Sequence, residues 1–343
     1  MKAIVYHRHG SPDVLKLVDW PDPTVGPDEV VVAVRAAAVN RFDLILRAGE
    51  AVVPGFSLPA IPGMDVSGVV IERGERVDQI DLGTRVVVRP NSHCGRCVAC
   101  LNGHHDRCAA DRFLGATAPG GYAEMVASPA NHVVPIPNHL TFAQAAALPV
   151  SLSTAWRGLV GTADLRIGET VLIHGAGSGV STTAIQLARH LGARVIATSR
   201  SDETLRRATE IGAHDVINSS TTDVAAATRA ATGGAGVDVV FDHVGPALFA
   251  ASMKSLASGG RFVMCGTTTG SEVSFVLPDV YYRAISLLGI RPQGLVEFRR
   301  MLDVYWASGI VPVVADELPL AAAADAHRLL EAGNLFGKLI LVP

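Results

Sequence analysis

Apolar positions along the chain fall into two rhythms. Through residues 1–90 they come as short runs broken by proline and glycine, the texture of many short strands. Val30 to Val39 is one such run and leads straight into Asn40. Pro59, Pro62 and Gly63 mark a turn, and a strand is predicted over Val66 to Ile71. A further turn and strand occupy Asp81 to Val88. After residue 150 the rhythm changes. Short apolar runs at Val171–Ile173, Val195–Ala197, Val216–Ile217, Val237–Asp242, Arg261–Gly266 and Leu287–Ile290 are separated by helix-like stretches. That alternation predicts a parallel, doubly wound α/β sheet. From about Leu295 the chain adds a helix with Val296, Phe298, Met301 and Leu302 on its apolar side, then a last strand. Two domains of unlike architecture follow, the first of them β-rich.

The most specific stretch runs from Glu169 to Arg200. Val171-Leu172-Ile173 reads as a strand buried on both faces. It stops at Gly175-Ala176-Gly177-Ser178-Gly179, where missing side chains let backbone approach a ligand. Val180 then opens a helix with Ile185, Leu187, Ala188 and Leu191 at helical spacing, ended by Gly192. Strand, glycine turn, helix and strand within about 30 residues form the βαβ dinucleotide-binding pattern. Bare turn and helix N-terminus offer N–H groups to a pyrophosphate. Ser181 stands near the third glycine of that pattern, and serine is small enough for the packing there. The second strand ends in Thr198-Ser199-Arg200-Ser201, with no carboxylate before Asp202. A carboxylate there would hold a ribose 2′-hydroxyl. Ser199 and Arg200 suit a 2′-phosphate instead, so NADP(H) is expected over NAD(H). Gly266 and Thr267 end a later strand at the ligand-binding edge and are expected to touch the cofactor. His174 and His243 read as satisfied histidines near strand ends.

Composition narrows the classes. The chain has 343 residues, is 49% hydrophobic and carries a net charge of -3. Nothing in that balance calls for nucleic acid or an anionic membrane as partner. The N-terminal stretch turns polar too soon for a signal peptide, and no run of about 18 apolar residues appears, so a cytoplasmic location is expected. Cys94, Cys97, Cys100 and Cys108 lie as C-x-x-C-x-x-C-x7-C. Four thiolates from one loop close tetrahedrally on zinc with no open position, a structural rather than catalytic metal. Two disulfides are the competing reading. His93 abuts the cluster as a bystander, and Cys265 reads as a buried core thiol.

These features together resemble the medium-chain dehydrogenase/reductase superfamily, which holds zinc alcohol dehydrogenases and quinone reductases. The likeness covers essentially the whole chain, including Gly120-Gly121-Tyr122-Ala123-Glu124 and the closing Phe336-Gly337-Lys338-Leu339-Ile340-Leu341. It implies a GroES-like catalytic domain over residues 1–152 and 294–343, with the structural-zinc lobe at 91–112, and a Rossmann domain over 153–293. It also implies homodimers or homotetramers built partly through the strand near Ser286 to Ile290. The resemblance breaks at the family's catalytic zinc. Asn40 stands at the first cysteine position, Met64-Asp65 at the histidine–glutamate pair, and Val150 at the last cysteine. Methionine is soft and valine has no lone pair, so no catalytic zinc is expected.

Without that Lewis acid, hydride transfer with a simple alcohol lacks its main electrostatic help. A quinone or α,β-unsaturated carbonyl delocalises the charge itself. Asn40-Arg41-Phe42-Asp43 is similar to the N-x-x-D stretch of quinone reductases, which implies that Asn40 and Asp43 face the nicotinamide end. Thr154 likewise falls on a position that approaches the nicotinamide. Asp43 either orients Asn40 or caps the helix over Leu44 to Ala48. Asp65 is either a proton-relay carboxylate or the partner of a basic side chain. No proton donor is identifiable. Three functions are open: an NADPH-dependent reductase of quinones or enones, an alcohol dehydrogenase with an unusual site, and a non-catalytic NADPH-binding protein.

Overall fold

The computed structural model describes residues 1–51, 53–291 and 294–343. In chain order, β1 (Lys2–Val5) and β2 (Lys16–Asp19) pair antiparallel. β3 (Glu29–Ala38), α1 (Arg41–Ala48), β4 (Asp65–Arg73) and β5 (Arg85–Val88) follow. β6 (Asn91–Ser92) and β7 (Arg112–Phe113) pair at the base of the cysteine lobe, which holds α2 (Val98–Leu101). Next come β8 (Met125–Pro129), β9 (Val133–Pro135), α3 (Phe142–Ala146) and α4 (Pro149–Trp156). The alternating region is β10 (Thr170–Ile173), α5 (Gly179–His190), β11 (Arg194–Ser199), α6 (Asp202–Glu210), β12 (Asp215–Asn218), α7 (Val224–Ala231), β13 (Val237–Asp242), α8 (Pro246–Ser255), β14 (Leu256–Met264), α9 (Leu277–Tyr281) and β15 (Ser286–Gly289). The chain ends with α10 (Leu295–Ser308), β16 (Val314–Pro319), α11 (Ala323–Ala332) and β17 (Lys338–Val342).

Two compact units result: Met1–Val150 with Gln293–Pro343, and Ser151–Pro292. The expected return near 293 and 294 adjoins Pro292 and Gln293, which lie outside the described residues. In the second unit six parallel strands run β12-β11-β10-β13-β14-β15. Strand order reverses between β10 and β13, so a crevice opens at their carboxyl ends, the place where such sheets bind ligands. Leu172, Ile196, Val240, Phe249 and Phe262 form its core. β14 begins five residues before the predicted Arg261, because the β13/β14 register shifts and takes up Ser258-Gly259-Gly260 as an irregularity. Among the described residues, no helix is long and apolar enough to cross a membrane.

The first unit is built on a seven-stranded sheet in the order β16-β17-β3-β4-β5-β9, with β8 also on β3. β3 explains how one end of this sheet becomes polar. Val30, Val32 and Val34 face the main core, as alternation requires. A register shift between Val34 and Ala36 exchanges the faces, so Ala37 and Val39 now point to that core. Ala36 and Ala38 turn to the other face, where they pack against Ala143, Ala146 and Ala147 around α3 together with Ile340 of β17. Small side chains on both sides let the helix lie close to the sheet. Ser67 of β4 is also on this face and donates to the Phe142 carbonyl at 2.6 Å. Asn40, Asp65 and Lys338 continue these rows beyond Ala38, Ser67 and Ile340. They therefore meet at one end of three neighbouring strands.

The turn before β4 is tightly built. Gly63 has φ +104°, and a Cβ there would lie 2.4 Å from the Tyr122 ring and 2.9 Å from the Tyr122 backbone nitrogen. Gly83 has φ +84° with nothing near its Cβ direction. Gly83→Ala should therefore cost only backbone strain, about 1–2 kcal/mol. Gly63→Ala should cost strain and collision together, roughly 3 kcal/mol or more. Urea denaturation of the two variants checks the difference.

Candidate functional site

In the second unit the glycine turn lies at the strand-order reversal. Gly175 has φ +62°, and a Cβ there would sit 3.0 Å from His243 Cε1. Any larger side chain would meet both strain and the imidazole. Ala176 N–H donates to Thr198 O at 2.8 Å, tying the turn to β11. Ser178 is the N-cap of α5, and its Oγ accepts from Ser181 N–H at 3.0 Å. The N–H groups of Gly179 and Val180, ahead of Ser181, are left for an acceptor outside the helix. Gly177 completes the turn. A diphosphate fits this donor set.

His174 is buried and His243 half-buried, and both are hydrogen-bonded. His174 bridges Thr198 Oγ1 at 2.9 Å and Ser252 Oγ at 2.7 Å. His243 Nε2 lies 3.0 Å from Ser178 Oγ and 2.9 Å from Ser181 Oγ. The Ser181 hydroxyl proton goes to His174 O at 2.7 Å, so the Ser181–His243 bond uses the proton on Nε2. Ser181, in the position nearest the third glycine, thus stitches the turn to β13. Burial lowers the pKa of His174 to about 3 and of His243 to about 4, so both are neutral.

Ser199 closes β11, half-buried, and Arg200 is exposed beside it. Asp202, the first carboxylate after them, accepts from Asn218 Nδ2 at 2.6 Å. Gly266 follows β14, where an added Cβ would lie 2.8 Å from His243 O. Thr267 is exposed at the start of a tight turn, its carbonyl accepting from Gly270 N–H at 3.1 Å. Thr268 and Thr269 are the hydroxyls that anchor this loop, to His243 O and Val244 O at 2.9 and 2.7 Å. Thr154 is half-buried on α4. Cys265 is half-buried rather than a core thiol, because β14 ends one residue before it.

In the first unit, Asp65 is fully enclosed and every side of its carboxylate is used. Oδ1 accepts from Val150 N–H at 2.8 Å. Oδ2 accepts from Asn40 Nδ2 at 3.0 Å and from Lys338 Nζ at 2.9 Å. Asn40 is equally occupied: its Oδ1 accepts from Lys338 Nζ at 2.7 Å, and Nδ2 also reaches Ala38 O at 3.3 Å. Val150 thus contributes a backbone donor at a place where its side chain has none to give. Lys338 went unrecognised in the sequence as a site residue. Its signal was a single charge inside an otherwise apolar strand, which burial makes costly unless it is paired.

Asp43 has a different setting. It is the third residue of α1 and accepts from Asn40 N–H at 2.8 Å and Gly63 N–H at 3.2 Å. Tyr122 OH lies 3.5 Å away and 3.3 Å from His327 Nε2. Asp43 thereby positions the Asn40 backbone and is not hydrogen-bonded to Lys338. Its enclosure raises its pKa from 3.8 to about 7, against the pull of the Asn40 N–H and the Lys338 charge.

The four cysteines come together apart from these groups. All four sulfurs lie within 4.8 Å of one another. The Cys94–Cys108 separation is 3.6 Å, and Cys94–Cys100 and Cys97–Cys108 are 4.0 Å. A zinc with four bonds of about 2.3 Å sets tetrahedral edges of about 3.8 Å, so the cage fits that ion. Cys94 N–H donates to Cys108 Sγ at 3.4 Å. None of the four is in a disulfide. His93 stays outside, stacked on His105 at 3.8 Å and 3.2 Å from Arg89 Nη1.

Known proteins match along the whole length. Residues 26–138 match the alcohol dehydrogenase GroES-like domain, and residues 179–307 match the zinc-binding dehydrogenase family. The quinone oxidoreductase of Rattus norvegicus is 30% identical over 348 residues, covering 100% of this chain and 98% of that one. A solved NAD-dependent alcohol dehydrogenase is 41% identical with a TM-score of 0.96, each chain covered fully. The Escherichia coli quinone oxidoreductase solved with NADPH is 26% identical with a TM-score of 0.84, again with 100% of both chains covered.

Two outcomes are expected. Elemental analysis of protein purified without added metal should find about one zinc per chain, and Cys97→Ser should lose it. Between pH 3.8 and about 7 native Asp43 holds a proton that the unfolded chain releases, so stability falls as pH rises through that window. The stability of the wild type relative to Asp43→Asn should decline by at most about 1.4 kcal/mol per pH unit there and level off above it. Denaturant titrations of both proteins across the window check this.

Proposed function

The chain belongs to the medium-chain dehydrogenase/reductase family and is an NAD(P)-dependent oxidoreductase, and from that premise we propose that it reduces quinones or α,β-unsaturated carbonyls with NADPH. The carrying observation is the makeup of the polar cluster. Asn40, Met64 and Val150 stand where relatives with a catalytic zinc have its ligands, and the remaining carboxylate, Asp65, is bonded by Lys338, Asn40 and the Val150 N–H. That set has no thiolate or imidazole to hold zinc.

NADPH, when bound, supplies hydride to the β-carbon of the acceptor. The acceptor's π electrons then move to its oxygen, giving an enolate or phenolate, and a proton from water completes the reduction. Gly175 to Val180 cradle the pyrophosphate, with Gly266, Thr267 and Thr154 as further contacts. Ser199 and Arg200 hold the 2′-phosphate, a reading supported by the engagement of Asp202 with Asn218. One zinc in the cysteine cage staples its lobe. Homodimers or homotetramers use β15, an edge strand near exposed Val276, Leu277, Tyr281 and Tyr282.

A second reading has one observation in its favour. The 41% identical solved structure is that of an NAD-dependent alcohol dehydrogenase. Steady-state assays separate the two. Oxidation of NADPH by a panel of enones and quinones, at least about tenfold more efficient than oxidation of NADH, is expected, with Arg200→Asp removing that preference. Oxidation of primary or secondary alcohols with NAD⁺ and about two zinc ions per chain would establish the second reading. Tight NADPH binding with no turnover of any acceptor would leave a binding protein.

A further inference from the structure

Two helices of the first unit meet through residues at matching spacing. Asp43 and Arg47 lie one turn apart on α1, and His327 and Glu331 lie one turn apart on α11. Tyr122 OH stands 3.5 Å from Asp43 Oδ2 and 3.3 Å from His327 Nε2. Nδ1 of the same ring is 3.4 Å from Arg47 Nη1, and Arg47 Nη2 donates to Glu331 Oε1 at 2.7 Å. Asp43, Tyr122 and His327 have no exposure, whereas the Glu331 side chain is 38% exposed. The groups thus form one line from an enclosed carboxylate to the protein surface.

Its order is forced at the outer end. A guanidinium only donates, so His327 Nδ1 must accept and Nε2 must carry the ring proton. Nε2–H then donates to the Tyr122 oxygen, and the Tyr122 proton goes to Asp43. That order suits an anion at Asp43. Enclosure favours the neutral carboxyl instead and moves its pKa to about 7. Of the charges facing Asp43, Lys338 favours the anion and Asp65 opposes it. Tyr6, Tyr122 and His327 also face it and stay neutral, because burial pushes the phenols up and the imidazole down to about 3.

With a proton on Asp43 the order has to reverse. Asp43 O–H donates to Tyr122, Tyr122 O–H donates to His327 Nε2, and Nδ1–H faces the guanidinium, donor against donor. Each order has one unfavourable end, an enclosed charge or opposed donors. The long separations from Asp43 Oδ2 to Arg47 Nη1 commit the line to neither.

We propose that this line is a proton path from the α11 surface to Asp43, and that the proton on Asp43 sets its order and the tautomer of His327. A proton enters at His327 Nδ1. The Nε2 proton passes to the Tyr122 oxygen, and the Tyr122 proton passes to Asp43. One proton enters and one arrives, the ring and the phenol end neutral, and the line is left reversed. Loss of the proton runs the same steps backward. The first unit thereby carries a proton-controlled contact between α1 and α11. A static tie is the competing account, with His327 keeping Nε2–H at every pH.

Long-range ¹H–¹⁵N NMR of the full-length protein with labelled histidine separates the two, because protonated and bare ring nitrogens have distinct shifts. His327 is assigned by its edge contact with the Tyr122 ring, 5.9 Å between centroids, and by the loss of its signals in His327→Gln. From about pH 9 to about pH 5 the proton should move from Nε2 to Nδ1, with the midpoint at about pH 7 and the ring neutral at both ends. The tautomer ratio should change about tenfold per pH unit. An ordinary surface histidine would gain a second proton instead. Asp43→Asn should abolish the transition, and so should Tyr122→Phe, which keeps the carboxyl but cuts the line. A wild-type His327 with one tautomer across the range, or with both nitrogens protonated below the midpoint, would overturn the proposal. So would a transition that survives in Tyr122→Phe, which tests the path even if Asp43→Asn fails to fold.

Discussion

An enclosed carboxylate governs the first unit. Asp65 has no access to water, so its charge must be met by protein donors or be lost. Three donors meet it, and each comes from a different part of the chain. Val150 N–H stands at the start of α4, Asn40 is the N-cap of α1, and Lys338 begins β17. The requirement therefore couples residues almost 300 positions apart in the sequence. Asp43 adds a second tie by holding the Asn40 backbone, and Gly63 has to be glycine for that tie to close against Tyr122. The same constraint that stabilises the end of the sheet fixes where the only ammonium of the cluster points.

The second unit solves a different problem with neutral groups. On the proposed function its turn presents backbone N–H groups to a diphosphate, and it has to stay rigid without one. Ser178, Ser181 and His243 provide the rigidity beneath the turn, and none of them is charged. A charged imidazole would be costly at that depth, and burial keeps it neutral. The cysteine cage is separate from both arrangements. Its four cysteines come from one short loop between β6 and β7, so a metal held there would order its own lobe.

Much of the architecture was readable along the chain because it depends on local periodicity. The alternation after residue 150, the glycine turn at Gly175 to Gly179 and the cysteine spacing each sit within a few tens of residues. Steric and coordination rules act at that range, so these features carry their meaning in the sequence. Element limits were less legible. α1 starts at Arg41 rather than Leu44, because Asn40 takes the capping position and Asp43 reaches back to it from inside the helix. β14 starts early because a register shift lets glycines remain in a strand.

The sequence by itself determined the two-domain plan, the family, the dinucleotide turn and the four-sulfur cage. Its resemblance to the family also implied which residues stand at the catalytic-zinc positions. Tertiary structure alone decided what those residues do. Asn40 and Lys338 face each other only because β17 returns antiparallel to β3, and Asp65 joins them only because a register shift in β3 turns their common face toward α3. No periodicity records such a meeting. Its physical cause is long-range strand pairing followed by the electrostatic demand of a buried charge, and neither is local to any stretch of the chain.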